Sequence, residues 1–163
     1  MLNRMTIRDA AKRVIELQRD YTGGKVGERE MLLDPILYAY LEGRFGHFTR
    51  QHPVRRTGTV KPARVDFRRG TMNPVLIEFA VRPPSGHGTL YGSQNRSELR
   101  KLCRMAAALR VLLLVDLYHI PLSQESLRRS YEKISGGQGN FVRRAVRVVY
   151  VHRKRTFDFL WRP

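Results

Sequence analysis

Apolar and polar residues along this chain change their period five times, and each change marks a switch of secondary structure. From about Ile7 to Asp20, the apolar positions Ile7, Ala10, Ala11, Val14, Ile15 and Leu17 recur at helical spacing. Thr6 and Asp9 are spaced as a capping box, and Thr22-Gly23-Gly24 stops the helix. A second helical pattern covers about Glu28 to Arg44, with Asp34-Pro35 marking a kink or a fresh N-cap inside it. The period then falls to two. Strand-like segments run over 47–54, 62–68, 74–82 and 110–117. A helix at about 93–109 separates the last two, entered through Pro83-Pro84 and the loop Ser85-Gly86-His87-Gly88. Ser123 can cap a helix over 124–134, Gly136 to Gly139 form a break, and two further strands lie in VRRAVRVVYVH and RTFDFLW. The first of these puts Arg144, Val146, Val148 and Tyr150 on one face and Arg143, Ala145, Arg147 and Val149 on the other, a mixture that suggests an edge strand or one partly covered. Tyr150, Phe157, Phe159 and Trp161 read as core or dimer contacts rather than base-stacking platforms. The order is helix, helix, three strands, helix, strand, helix, strand, strand. It predicts an α/β fold with a mixed central sheet flanked by helices, all in one domain of 163 residues.

Within this pattern the segment RVDFRRGTMNPVLIEFAVRP, residues 64–83, carries the chemistry. It puts Asp66 near the end of one strand and Glu78 in the middle of an otherwise apolar one. An ionised carboxylate inside VLIEFAV must find a cation or a metal. The candidates are a divalent-metal site and a buried salt bridge to Arg64, Arg82 or Arg96.

Charge sharpens the choice of partner. The chain carries 31 Lys+Arg against 14 Asp+Glu, a formal +17, and only six of those cations are lysine. Arginine suits bidentate phosphate contacts and stacking on bases, so nucleic acid, above all DNA, is the expected partner. Pairs at Arg55-Arg56, Arg68-Arg69, Arg128-Arg129 and Arg143-Arg144, and the run Arg153-Lys154-Arg155, recur at turns and strand ends where they can reach a backbone. The single cysteine, Cys103, excludes a disulfide framework and reads as a buried thiol, while His47, His52, His87, His119 and His152 have no ligand spacing for zinc. No apolar h-region opens the chain, and apolar runs such as VLLLV at 111–115 are far too short to span a membrane, so no membrane association and a cytoplasmic, soluble protein are expected.

These residues resemble the PD-(D/E)XK nuclease superfamily, whose restriction-endonuclease-like core runs α-β-β-β-α-β. The resemblance covers about residues 28–118. It matches Asp66 to the acid ending the second strand and Glu78 to the acid of the third. A helix acid corresponds to Glu30 or Glu28 in GEREMLLDPILYAYL, and the rest of the core to SQNRSELRKLCRMAAAL and RVLLLVDL. It implies Mg²⁺ or Mn²⁺ bound by Asp66 and Glu78, phosphodiester hydrolysis, and a homodimer as one arrangement for cutting two strands. The motif lysine should follow Glu78 by two residues, and Ala80 stands there. Arg82, the next residue on that face, lies about 13 Å from Glu78 along an extended strand and suits a rim contact with phosphate. Some members carry the lysine or a substitute on the following helix. At about 100° per residue, Asn95 and Arg96 fall near the buried stripe of Leu99, Leu102, Cys103 and Ala106, whereas Gln94 and Lys101 point away. Arg96 or Asn95 is therefore the expected substitute, although arginine stays protonated and cannot act as a base. The expected site is Asp66, Glu78, Glu30 and Arg96, with Arg55, Arg56, Arg68, Arg69, Arg82 and Asn95 on nucleic acid. The alternatives are a catalytically inactive nucleic-acid-binding module on the same fold and a basic assembly protein.

Overall fold

Six strands pair in chain order into one mixed sheet: β1 (Thr49–Val54), β2 (Ala63–Arg69), β3 (Val75–Arg82), β4 (Leu109–Asp116), β5 (Val146–His152) and β6 (Arg155–Trp161). The computed structural model describes residues 9, 12, 35, 37–39, 41–43, 46–54, 63–86, 90–135 and 142–163. β1 to β3 form an antiparallel meander, β3, β4 and β5 run parallel, and β6 returns antiparallel. Parallel neighbours need long crossovers. Here α1 (Arg96–Cys103) joins β3 to β4 and α2 (Gln124–Glu132) joins β4 to β5.

Alternation along the central strands splits the core in two. Leu76 on β3 and Leu112 and Leu114 on β4 pack with Leu99, Leu102 and Cys103 of α1 and Leu127 and Tyr131 of α2. Ile77 and Phe79, with Val111, Leu113 and Val115, pack on the opposite face against Leu37 and Leu41 of the helical stretch that precedes β1. The result is a mixed α/β arrangement with helices on both faces, as the order of periods predicts. The expected aromatics Tyr150, Phe157, Phe159 and Trp161 all lie in the first of these cores.

Two expectations need correction. β5 lies between β4 and β6 and is not an edge strand. The arginine on its mixed face, Arg147, is neutralised by Asp158 of β6 at 3.0 Å, so a charge there did not require open solvent. The helix expected to reach 109 ends at Cys103. β4 must begin at Leu109 to pair with Val75, and the Arg110 guanidinium bonds the carbonyls of Met105 and Ala107, which a longer helix would otherwise use. Ser123 caps α2 as expected, its hydroxyl accepting from Ser126 N at 3.0 Å. Of the first predicted helix only Asp9 and Lys12 are described, both helical, and residues 28–30 and the glycine run at 136–139 lie outside the described residues.

At the carboxyl ends of the parallel strands a buried polar network joins β3, β4 and β5. Arg82 grips Asp116 with a fork, Nε to Oδ1 at 2.7 Å and a second nitrogen to Oδ2 at 2.5 Å, and also donates to Ile120 O at 2.6 Å. Tyr150 donates to Asp116 Oδ2 and accepts from Leu122 N at 2.9 Å. Tyr118 N donates to Asp116 Oδ1, and its ring lies 4.9 Å from the Arg82 guanidinium. Gly86 (φ 76°) lets the chain pass over that ring, where a Cβ would sit 2.7 Å from it. Burial first, and then Asp116, hold the Tyr150 phenol above the ordinary tyrosine range. Arg82 is therefore not the rim residue the sequence implied. Its side chain turns into the core because Asp116 on the neighbouring strand shares its register position.

Asp116→Asn should cost about 3–5 kcal/mol in urea unfolding, since it leaves Arg82 buried without a counter-charge. Tyr150→Phe should cost about 1–2 kcal/mol, and the pair of losses should not add, because both groups share one carboxylate.

Candidate active site

Glu78 lies at the centre of β3 between Leu76 and Ala80, pointing to the face covered by α1, and is only 3% exposed. β2 and β3 stay paired from Arg69↔Val75 to Phe67↔Ile77, and the ladder stops there. Counting on one step sets Asp66 opposite Glu78. At that step the Asp66 carboxylate takes over the strand's role, Oδ2 accepting from Phe79 N at 3.0 Å. A side chain has replaced a backbone partner, and the two strands part around two carboxylates that share a face.

The cation that meets Glu78 is Lys101. Its Nζ lies 2.6 Å from Glu78 Oε1 and 2.8 Å from Glu98 Oε2, with only 12% of the side chain exposed. The contact to Oε1 is close but not angled as a hydrogen bond, which leaves Oε1 a buried acceptor without one. Glu98 and Lys101 are three residues apart on α1 and share its flank. That flank faces the place where β2 and β3 part, and it mouths a cleft of about 400 Å³ lined by Ser97, Glu98, Arg100, Lys101 and Arg104.

Burial, and next the charge of Asp66, push the Glu78 carboxyl up to about 9, with Lys101 pulling the other way. Burial opposes the charge on Lys101, but Glu78 and Glu98 more than offset it and hold the ammonium above the ordinary lysine range. Three carboxylates, Asp66, Glu78 and Glu98, thus gather around one ammonium, and the deeply buried Glu78 carries the strain.

Lys101 is the residue that the helical phase excluded. It lies about 100° round the helix from Leu102, on the flank rather than the buried stripe. A four-carbon stem crosses that angle and lays its head on Glu78 while the stem covers apolar surface. The expected substitutes lie elsewhere. Arg96 is exposed in the first turn of α1. Asn95 is buried, with its amide donating to Tyr91 O at 3.3 Å, because the turn before α1 packs into the core. Neither is paired with Glu78, and nor is Arg64, which is exposed. Arg68 caps its own turn, donating to Gly70 O and Thr71 O, and Arg69 follows it at the end of β2. Glu28, Glu30, Arg55 and Arg56 lie outside the described residues. One signal for Lys101 was present in the composition. In a chain with six lysines among 31 cations, a lysine within a helix that otherwise uses arginine marks a place for a compact ammonium.

Among the described residues, no three His, Cys, Asp or Glu side chains converge as ligands for a metal. His152 is buried with both ring nitrogens engaged, Nε2 with Tyr118 O and Nδ1 accepting from Lys154 N. No helix among the described residues is long and apolar enough to cross a membrane.

No family model matches the chain, and no curated protein does. Among solved structures, a crystal structure of SSO0001 superposes with a TM-score of 0.32 at 12% identity, over 96% of this chain and 65% of that one. A likeness this slight carries no argument about fold or function. The chain spans about two thirds of that protein's length.

A glutamate whose carboxyl is raised in the folded state binds its proton more tightly there than when unfolded, so its contribution to stability is complete below about 4.5 and is lost as pH rises to about 9. In EDTA, wild-type stability should fall across that window by up to about 1.4 kcal/mol per pH unit from this group. Glu78→Gln should flatten the slope and melt above wild type at pH 8. A Glu78→Gln variant less stable than wild type at every pH would mark the Glu78–Lys101 pair as purely structural.

Proposed function

We propose that this protein is a divalent-metal-dependent nuclease of the PD-(D/E)XK type, acting on DNA, whose motif lysine is supplied by the helix after the acidic strand. The observation that carries the reading is Lys101 Nζ at 2.6 Å from Glu78, above a strand on which Ala80 occupies the usual lysine position. The order of three antiparallel strands, a helix and a fourth strand parallel to the third supports it. So does the parting of β2 from β3 at the two acids.

Asp66 and Glu78 would hold the ion. Both are hard oxygen donors, and Glu78 Oε1 faces the Lys101 ammonium without accepting a hydrogen bond. Mg²⁺ needs no complete protein cage, since one or two carboxylates plus water and substrate phosphate fill its shell. A bound Mg²⁺ or Mn²⁺ would polarise the scissile phosphate and lower the pKa of the attacking water. Lys101 would place a fixed positive charge beside the reacting phosphate, where charge grows in the transition state. Its own head is also held from its own helix by Glu98, 2.8 Å away. Glu78, protonated without a cation, would release that proton as a metal binds. The excess of arginine supports a polyanionic substrate, with the formal +17 drawing it in.

Purified protein should cleave DNA with Mg²⁺ or Mn²⁺ and not with EDTA. Asp66→Asn, Glu78→Gln and Lys101→Ala should each lower the rate by about 100-fold or more. Ala80→Lys placed in the Lys101→Ala background should recover part of that loss, because residue 80 shares the face of Glu78. Cleavage that persists undiminished in Asp66→Asn sinks the assignment. Salt-sensitive binding without cleavage under either metal would instead mark an inactive binding module on this fold.

A further inference from the structure

The arginines of this chain are not spread evenly around the site. α1 runs antiparallel to β3, so its last turn lies at the end of the sheet where the parallel strands begin. Three contacts fix the neighbours there. Ala108 N donates to Pro74 O at 3.0 Å, Val111 pairs with Arg147, and Arg144 N donates to Cys103 O at 2.9 Å. The last of these staples the segment before β5 onto the end of α1. Cys103 is two residues, about 3 Å of helix axis, beyond Lys101. The chain therefore brings Arg143 and Arg144, about forty residues away in sequence, against the end of the helix whose flank lines the cleft.

Electrostatics report the same convergence. Burial raises the Cys103 thiol, while four guanidiniums (Arg104, Arg143, Arg110 and Arg100) act on it in the opposite sense. Burial first, and then the charge of Arg144, lower Arg110. Five arginines thus lie within electrostatic reach of one helix end, and the cleft beside them is lined by a single acid, Glu98, which already faces Lys101. Arg110 is tied to three backbone carbonyls and serves the fold. Arg143 is exposed and Arg144 half-buried, on a segment outside any strand or helix. Gathering like charges opposes folding, and a polyanion laid across them would relieve the repulsion.

We propose that Arg143 and Arg144, with Arg100 and Arg104, form a phosphate track that carries a nucleic-acid strand across the end of α1 and away from the Asp66–Glu78–Lys101 site. This rests on the nuclease reading for its direction, from the reacting phosphate outward. α2 shows the contrast. Its surface arginines Arg128 and Arg129 are matched by two acids one turn away, Glu132 at 2.9 Å and Glu125 at 2.5 Å, so these four side chains carry no net charge, whereas Arg100, which bonds Ser135 O and Oγ, and its arginine neighbours have Glu98 as the one acid lining the cleft.

The test measures binding of the full chain to a fluorescent DNA duplex by anisotropy, in EDTA so that nothing is cut, over a series of salt concentrations. Arg143→Gln/Arg144→Gln should weaken binding at least about 10-fold near 0.1 M salt and lower the slope of log affinity against log salt by about 2. Arg128→Gln/Arg129→Gln removes the same net charge and should change affinity by less than about 3-fold, with the slope retained. Equal effects of the two double variants, or an unchanged slope in the first, overturn the track. Melting curves check that both variants are folded; if the first is not, Arg143→Gln alone should lower the slope by about 1. Failure of the track leaves metal-dependent cleavage intact. Failure of the nuclease reading would instead appear as a wild-type protein that binds DNA and does not cut it.

Discussion

The burial of Glu78 is the constraint around which this half of the molecule is arranged. A carboxylate at 3% exposure in the middle of an apolar strand cannot be left alone, and the chain answers from two sides. α1 lays Lys101 on it, which fixes the rotation of that helix over the sheet. β2 draws back at Phe67, which lets Asp66 come alongside and bond Phe79 N in place of a strand neighbour. The second answer makes the first problem worse, because Asp66 adds a negative charge where one was already costly. A fold selected for stability alone would have no use for that arrangement. Local strain of this kind is an observation on which the proposed metal site rests.

A second buried carboxylate on the neighbouring strand supplies the comparison. Asp116 is as deeply buried as Glu78, on the same face, four positions further along the parallel register. It receives a forked arginine, a tyrosine hydroxyl and a backbone N–H, and every donor around it has a reason to stay. That network closes the carboxyl end of the sheet and holds the loop from Leu117 to Leu122 against β5. Glu78 has one ammonium, shared with Glu98, and an oxygen without a hydrogen bond. The two sites lie side by side and differ in how completely their charge is satisfied. Completeness marks the structural one.

Much of the fold was legible because it depends on short-range pattern. The period-two alternation placed all six strands within a few residues, and Ser123 and Cys103 behaved as their neighbours implied. The errors came from partners that lie far off in sequence. A helical wheel ranks residues against one buried direction, whereas α1 packs against the sheet with one stripe and against the parting of β2 and β3 with a flank. Lys101 belongs to the flank. Arg82 was misplaced for the same reason: its spacing from Glu78 along the strand was right, but Asp116 reaches it from the same register position on the next strand. Asp66 and Glu78 could be paired from sequence since both lie on strands joined by one turn. The cation that meets Glu78 could not, because a helix and its loop intervene.

The choice of cation at position 101 follows from the contrast between the two carboxylates. Where the chain needs a carboxylate closed off, it uses arginine: Arg82 takes both oxygens of Asp116 with its fork. A guanidinium at position 101 would do the same to Glu78 and leave no oxygen for an ion. An ammonium is a point charge, and Lys101 meets one oxygen at 2.6 Å while turning its other protons to Glu98. In a sequence that prefers arginine by about four to one, the buried cation beside Glu78 is a lysine. Lysine sets one positive charge against Glu78 and does not close both of its oxygens as a fork would.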